Sequence, residues 1–386
     1  MSEWKNFCLG DVCNFSKDKV EVSKLGLGNY ISTENLLPNK GGITEAASLP
    51  KVSTTISFDV GDILISNIRP YFKKIWRATF SGGCSNDVLV IRAKKNVEPK
   101  FLYYVLSEDK FFDLVTATAK GTKMPRGDKQ VIMNYLVPNF PLEMQKKIAA
   151  VLSALDDKIE LNNAINKNLE EQAQTIYEKI CWRAKLAPLS ELIEAVESGS
   201  RPKGGATTSG IPSIGAEKID GFGRYDYSNE KFIDTDYFKR LKRGIVFSGD
   251  VMLYKDGAYT GKASMALDGF PHKTCAVNEH VFLLRTKDNM AQFFLYFTLR
   301  NEDIYKKIHA LACGKAAQPG LNRQELMCVT SFLPDEEVIQ KFEAMVSPLM
   351  HAIALNALEN KKLGEIRDAL LPRLMSGEID VSVVEI

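Results

Sequence analysis

Two stretches of this chain repeat apolar residues in alternating steps of four and three, and a seam of that kind is buried only by facing another seam. In residues 142–183 it runs through Ile148, Leu152, Leu155, Ile159, Asn162, Asn166, Leu169, Ala173, Ile176 and Ile180. In residues 335–378 it runs through Phe342, Val346, Leu349, Ile353, Asn356, Asn360, Leu363, Arg367, Leu370 and Leu374. A helix of 40 residues is roughly 60 Å long at 1.5 Å per residue. Two such helices with a globular segment between them return past one another most simply as antiparallel partners. Asn162 and Asn166 are then expected opposite Asn356 and Asn360, where buried amides select register because a slipped alignment leaves them unpaired. The other arrangement open to the sequence has each helix packing on its own globular segment. No proline interrupts the first run; Pro348 in the second is expected to kink the helix or to mark its true start.

The segments outside the helices also repeat. Gly61-Asp62-Ile63-Leu64 returns as Gly249-Asp250-Val251-Met252, and Phe101-Leu102-Tyr103-Tyr104 returns as Phe294-Leu295-Tyr296-Phe297. A Gly-Lys-Pro loop at 121–125 returns at 314–319. Short β-like runs at 63–65, 88–91, 251–254 and 281–284 are punctuated by glycine turns, with helical patterns following near 101–115 and 292–309. The expected architecture is α+β: two mixed α/β heads at 1–141 and 184–334, separated by two long antiparallel coiled-coil helices in a pseudo-twofold repeat. The segment 184–188 reads as the linker into the second head, and 379–386 as a tail.

Charged residues at 25% and hydrophobic residues at 45% describe an ordinary globular protein. No apolar run is long enough for a membrane span, and residues 1–5 do not resemble a signal peptide. Seven scattered cysteines without Cys-x-x-Cys argue against a disulfide framework or a zinc site and fit a reducing cytoplasm. The net charge of +2 conceals a segregation: the heads carry +5 and +3, residues 142–183 carry −1, and residues 335–386, the second helical segment with its tail, carry −5. Basic charge placed in the heads suits a polyanionic partner.

Motifs for chemistry are missing. There is no His-Glu-x-x-His and no Cys or Asp at metal spacing. The stretch 257–263 imitates a phosphate loop but begins after Asp256, where glycine is needed, and has Ala263 where magnesium requires Ser or Thr; a turn between strands is the better reading. No Asn-Pro-Pro-Tyr or Asp-Pro-Pro-Tyr is present, and Asp156-Asp157 read as solvated helix charges. Neither a catalytic nor a metal site is expected. Basic and aromatic residues do gather in loops: Arg69, Tyr71, Lys73, Lys74, Lys120, Lys123 and Arg126 in the first head, and Arg201, Lys203, Lys255, Tyr259, Lys262, Lys315, Gln318 and Arg323 in the second. Arg and Lys pair with phosphates or guanine edges and Gln with adenine, so these are the candidate DNA-binding residues.

The run from Pro141 to Ile159 resembles the specificity subunit of type I restriction-modification enzymes, as do the Gly121-to-Pro125 loop, the two Gly-Asp motifs and the closing stretch Leu371 to Ile379. The likeness spans essentially the whole chain, although the second repeat is looser, with two extra residues before Gln340 and a longer loop at 314–319. It implies two target-recognition domains, each binding half of a bipartite DNA sequence, and two helices that dock two modification subunits. Those subunits carry S-adenosylmethionine and methylate adenine, presumed flipped out of the duplex; restriction subunits add ATP-driven translocation and cleavage. This chain itself would hold no cofactor and touch no membrane. Because the heads differ, an asymmetric target is expected. The helices would act as a ruler: four residues added to both should shift the heads by roughly 6 Å, about two base pairs. An unchanged gap between half-sites would refute it. Two competing readings are a coiled-coil scaffold that binds no DNA, whose affinities would lack steep salt dependence, and the specificity half of a type II-like methyltransferase or nuclease, which would need a catalytic domain.

Overall fold

The computed structural model describes residues 6–314, 320–381 and 384, with the side chain of Asn289 excepted. The chain divides into two compact units, one comprising 1–157 with 363–386 and the other 158–362. Each contains a head and a pair of helix segments.

In the first unit an antiparallel sheet runs in the order Cys13–Phe15, Val88–Ala93, Ile63–Ser66, Ile75–Arg77. A second sheet runs Lys19–Glu21, Thr54–Phe58, Gly82–Cys84, Tyr30–Ile31, its last pair parallel. In the second unit the corresponding sheets are Ile193–Ser198, Val281–Thr286, Val251–Tyr254, Ala263–Met265, and Phe232–Ile233, Ile211–Ile214, Ala276–Val277, again with the last pair parallel. The central strands begin with unbroken apolar runs, Val88 to Ile91, Ile63 to Ile65, Val281 to Leu284 and Val251 to Leu253, because both faces are covered there. Ile63 and Ile65 pack with the helices Pro99–Ser107 and Asp109–Ala117, while Leu64 joins Phe58, Val88 and Val90 on the other side. Val251 and Leu253 face the helices Gln292–Arg300 and Glu302–Cys313, while Met252 faces Ile214, Val277 and Leu283.

The repeated Gly-Asp motif is a device of this fold. Gly61 and Gly249 sit at φ +91° and +93°, a region that favours glycine. Their N–H groups donate to Ala78 O (2.8 Å) and Ala266 O (2.7 Å). The aspartate then accepts two hydrogen bonds from one arginine: Asp62 from Arg92 Nε (2.8 Å) and a terminal nitrogen (2.7 Å), Asp250 from Arg285 by the same pair of contacts (2.6 Å each). This bidentate pair staples the strand start to its neighbour in both heads.

The long helices are Leu142–Cys181 and Glu336–Met375. The second runs unbroken through Pro348, contrary to the expected kink or late start. Pro348 and Ala344, the carbonyl it leaves unpaired, both lie on the solvent face, while Phe342, Val346 and Met350 anchor the opposite side. A proline inside a helix costs about 3 kcal/mol, and that buried face offsets it. Within the second unit the helices pair antiparallel: Asn162 Nδ2 donates to Asn360 Oδ1 (2.9 Å), and Asn356 Nδ2 donates to Asn166 Oδ1 (2.8 Å). Within the first unit Arg367 meets Asp156 at 2.8 Å. Asp156 also accepts from Tyr104 Oη at 2.6 Å, so it is a buried-face anchor and not the solvated charge expected.

The helices pack on the heads as well as on each other. Ile148, Ala149 and Leu152 join Leu371, Leu374 and Met375 in the core of the first unit; Ala173 and Tyr177 join Phe342, Val346, Met350 and Ile353 in that of the second. The seam drifts accordingly. Leu155, Ile159, Leu169, Ile176, Leu349, Leu363 and Leu370 are half-buried, and Tyr177, Cys181, Met350, Ala354 and Ala357 are buried beside them. A straight helix turns about 20° against each heptad, and heads packed on the helices reward the wider face. The segment 184–188 is not a bare linker: Lys185–Pro188 pairs antiparallel with Thr330–Leu333. Pro188 ends that strand, where a missing N–H is tolerated.

Candidate nucleic-acid interface

In each head three loops converge through the same backbone hydrogen bonds. A turn follows the short parallel strand pair, closed by Ser85 N to Ile31 O (2.8 Å) in one head and Asn278 N to Ile214 O (2.9 Å) in the other. The loop after the central strand is pinned to that turn by Asn67 N to Asp87 O (2.8 Å) and Lys255 N to His280 O (2.9 Å). The third strand of chain is tied on by Gly127 N to Asn67 O and Leu321 N to Lys255 O, both 3.1 Å. It leads into a short helix capped by Asp128 in one head and Asn322 in the other. The fold therefore brings the loops of Arg69 and Arg126 together, and those of Lys255 and Arg323.

In the first head Arg69 is exposed, and its N–H donates to Pro125 O at 2.8 Å. Tyr71 is 48% exposed and leans on Phe72 with ring centres 4.7 Å apart. Four of the basic residues are engaged: Lys73 with Asp109 (2.9 Å), Lys120 with Asp128 (2.6 Å), Arg126 with Asp87 (2.9 Å), and Lys74 with Thr33 O (2.6 Å). Burial pulls the Lys74 ammonium below its ordinary pKa, against the opposing pull of Glu34. Arg69 and Lys123 are exposed and form no ion pair among the described residues.

In the second head Arg201 meets Glu279 (3.0 Å), Lys255 meets Asp256 (3.3 Å), and His280 lies between these two carboxylates at 3.3 and 3.4 Å. Lys262 pairs with Asp220 (2.6 Å) and stands 4.6 Å over the ring of Tyr259, which is 57% exposed. Tyr254, Tyr259 and Lys262 share with Lys218, Asp220 and Arg224 the wall of a cleft of about 460 Å³. Lys203 and Arg323 are exposed and unpaired among the described residues. Lys315 and Gln318 lie outside the described residues. The stretch 257–263 joins two antiparallel strands. Among the described residues no group of three or more His, Cys, Asp or Glu could hold a metal ion.

A sequence model of the family described as the type I restriction modification DNA specificity domain matches residues 1–171. The HindI specificity subunit of a type I restriction enzyme from Haemophilus influenzae is 25% identical, with 98% of this chain and 100% of that protein aligned. The MjaVIII specificity subunit of Methanocaldococcus jannaschii is 23% identical over 98% of this chain and 93% of that protein. Along nearly its whole length the chain is similar to type I specificity subunits. Among solved structures, the S subunit of the type I restriction-modification system of M. genitalium has the same fold, with a TM-score of 0.58 at 15% identity over 96% of both chains.

Sequence reasoning passed over one loop of this chain. Asn39 N donates to Phe72 O (2.8 Å) and Lys40 N to Lys73 O (2.9 Å), adding residues 38–42 to the first head's loops. Asn39, Lys40, Arg69 and Lys73 all adopt positive φ, between +50° and +61°. Such backbone costs on the order of 1–3 kcal/mol per residue and gathers at functional sites. The tract Pro38-Asn39-Lys40-Gly41-Gly42 carries the turn signal that could have found it. In the second head the missed residues are Asn278, Glu279 and His280, whose turn gives no compositional sign of its place beside Lys255.

Proposed function

We propose that this chain is the DNA-recognition subunit of a type I restriction-modification complex, each head reading one half of a bipartite, asymmetric target. The observation that carries this reading is one hydrogen-bonded loop frame built twice and dressed with different basic and aromatic side chains. A shared frame suits the same polyanionic backbone in both halves, and unlike side chains suit unlike bases. Arg69, Lys123, Lys203 and Arg323 extend into solvent as phosphate contacts, while Tyr71, Tyr259 and the paired residues around them lie where base edges would be met. Recognition is this chain's part. Methylation of adenine with S-adenosylmethionine and ATP- and magnesium-dependent cleavage belong to modification and restriction subunits, two of the former docking on the helices. No helix among the described residues is long and apolar enough to cross a membrane, and the cytoplasm is the proposed compartment.

Binding to double-stranded DNA, measured as a function of salt, tests the reading. Neutralising Z phosphates gives a slope of about −0.9Z in log affinity against log salt. A steep negative slope is expected. A protein that binds DNA with no salt dependence, or not at all when assembled with its modification subunits, sinks the proposal.

A further inference from the structure

The second head holds a thiol–imidazole pair that the recognition of DNA does not use. Cys313 and His309 lie one turn apart on the helix Glu302–Cys313, with Sγ 3.4 Å from Nε2. The other ring nitrogen, Nδ1, is 3.1 Å from Thr260 O. A carbonyl only accepts, so Nδ1 carries the hydrogen, and the neutral ring is left with its lone pair on Nε2, facing the thiol. Tyr305 stacks on the imidazole, with ring centres 5.7 Å apart and planes at 17°. The arrangement has the three parts of an activated nucleophile: a thiol, a base within reach, and a third group that fixes the base's orientation. Cys313 is exposed, so an electrophile can approach it. Cys328 is exposed too but has no such histidine among its described contacts, while Cys13, Cys84, Cys181 and Cys275 are buried.

We infer that Cys313 is a base-assisted modification site for small electrophiles, hydroperoxides being the chemical class it would meet in a cell, and that its state is transmitted to the loop 255–262. In the reaction sulfur attacks the terminal oxygen, the O–O bond breaks, and the thiol proton passes by way of His309 Nε2 to the departing oxygen. The products are a sulfenic acid and an alcohol or water. Transmission follows from the ring's second contact. Thr260 is fully buried, its hydroxyl donates to Gly257 O at 2.7 Å, and Gly261 packs on the Tyr305 ring. A larger group on sulfur displaces the imidazole and removes one of the contacts that hold this loop. The same loop carries Tyr259 and Lys262, but the inference itself does not depend on DNA.

The test uses the full-length chain with iodoacetamide as electrophile, the extent of reaction at each cysteine being read by mass spectrometry. Cys313 should label on the order of tenfold faster than Cys328, and His309→Gln, which can still donate to Thr260 O but cannot take a proton, should abolish that lead. Amide hydrogen exchange across 254–263 should rise after alkylation of the natural chain and stay unchanged after the same treatment of Cys313→Ser. Equal labelling of Cys313 and Cys328 in the natural chain overturns the inference without need of a variant. So does undiminished labelling in His309→Gln, or exchange that ignores the modification.

Discussion

The two heads share a skeleton and differ in how they support and decorate it. Both start the central strand with a positive-φ glycine and an aspartate gripped by arginine, yet Arg92 is 37% exposed and shared with Asp18 and Asp59, while Arg285 is 18% exposed and shared with Glu197. Both have a side chain from a long helix at the N-terminus of the helix behind the sheet, but in one it is neutral and in the other acidic. Gln145 Oε1 accepts from Glu98 N (3.0 Å) in the first head; Glu343 Oε1 accepts from Phe294 N (2.7 Å) in the second. Around the loops the first head sets Lys120 on Asp128, Arg126 on Asp87, and Lys40 and Lys73 together on Asp109, and the second weaves Arg201, Lys255 and His280 among Glu279 and Asp256. Residues that hold the frame are therefore alike in geometry, and residues that face solvent are free to diverge. That division is what a protein reading two different half-sites needs.

The largest effect separating the heads should come from the Gly-Asp pairs. Asp250→Ala takes the bidentate partner from a mostly buried arginine, which keeps one carboxylate, Glu197 at 2.8 Å, and should cost about 3 kcal/mol. Asp62→Ala should cost clearly less, because Arg92 is better hydrated and keeps two carboxylates, Asp59 at 2.7 Å and Asp18 at 3.0 Å. Urea denaturation of the two variants measures both, and equal losses would contradict the distinction.

Next comes the helix seam in the second unit. Asn166→Ala leaves the Asn356 amide without its acceptor and should cost about 1–2 kcal/mol. A double-mutant cycle with Asn356→Ala should return a coupling energy; additivity would show that the 2.8 Å contact contributes nothing.

The unpaired bases give a comparison within the first head. Lys123→Ala or Arg69→Ala should weaken DNA binding and lower the salt slope by about 1 each. Lys120→Ala should do less, since its ammonium already faces Asp128 at 2.6 Å. The reverse ranking in a salt titration would mean that the ion-paired residues are the DNA contacts.

The smallest expected effect is a pH dependence confined to the second unit. Burial raises the Glu343 carboxyl from 4.5 to about 7, against the opposing pull of the Phe294 and Phe293 N–H groups. Between about pH 4.5 and 7 the folded state then binds more protons than the unfolded state, so this group's contribution to stability falls as pH rises through that window. Glu343→Gln, which installs the first head's solution, should remove that decline in thermal unfolding profiles. An unchanged profile would place the titration elsewhere.

Much of this was legible in the sequence where a short pattern fixes a local geometry. The heptads and the four asparagines foretold an antiparallel pairing, and Asn162 meets Asn360 as Asn166 meets Asn356, although the Asn162 amide also donates to Glu359 at 2.7 Å. The Gly-Asp repeat announced equivalent strands. What the sequence did not disclose depends on chain folded over from elsewhere. Tyr177 and Met350 leave the heptad because the heads pack on the helices. Lys185–Pro188 becomes a strand because Thr330–Leu333 arrives beside it. Asn39, Lys40 and His280 join the loop clusters through backbone bonds that no composition records, and which cations stay free depends on where Asp87, Asp109 and Asp128 come to lie.

The most direct test of two heads reading two half-sites is methylome sequencing of cells that express this chain with its cognate modification subunit, beside cells that lack the chain. The account predicts a new bipartite motif with methyladenine in both halves, the halves unlike in sequence and separated by a fixed unspecified gap. The absence of any new motif, with the modification subunit active and bound, would contradict it.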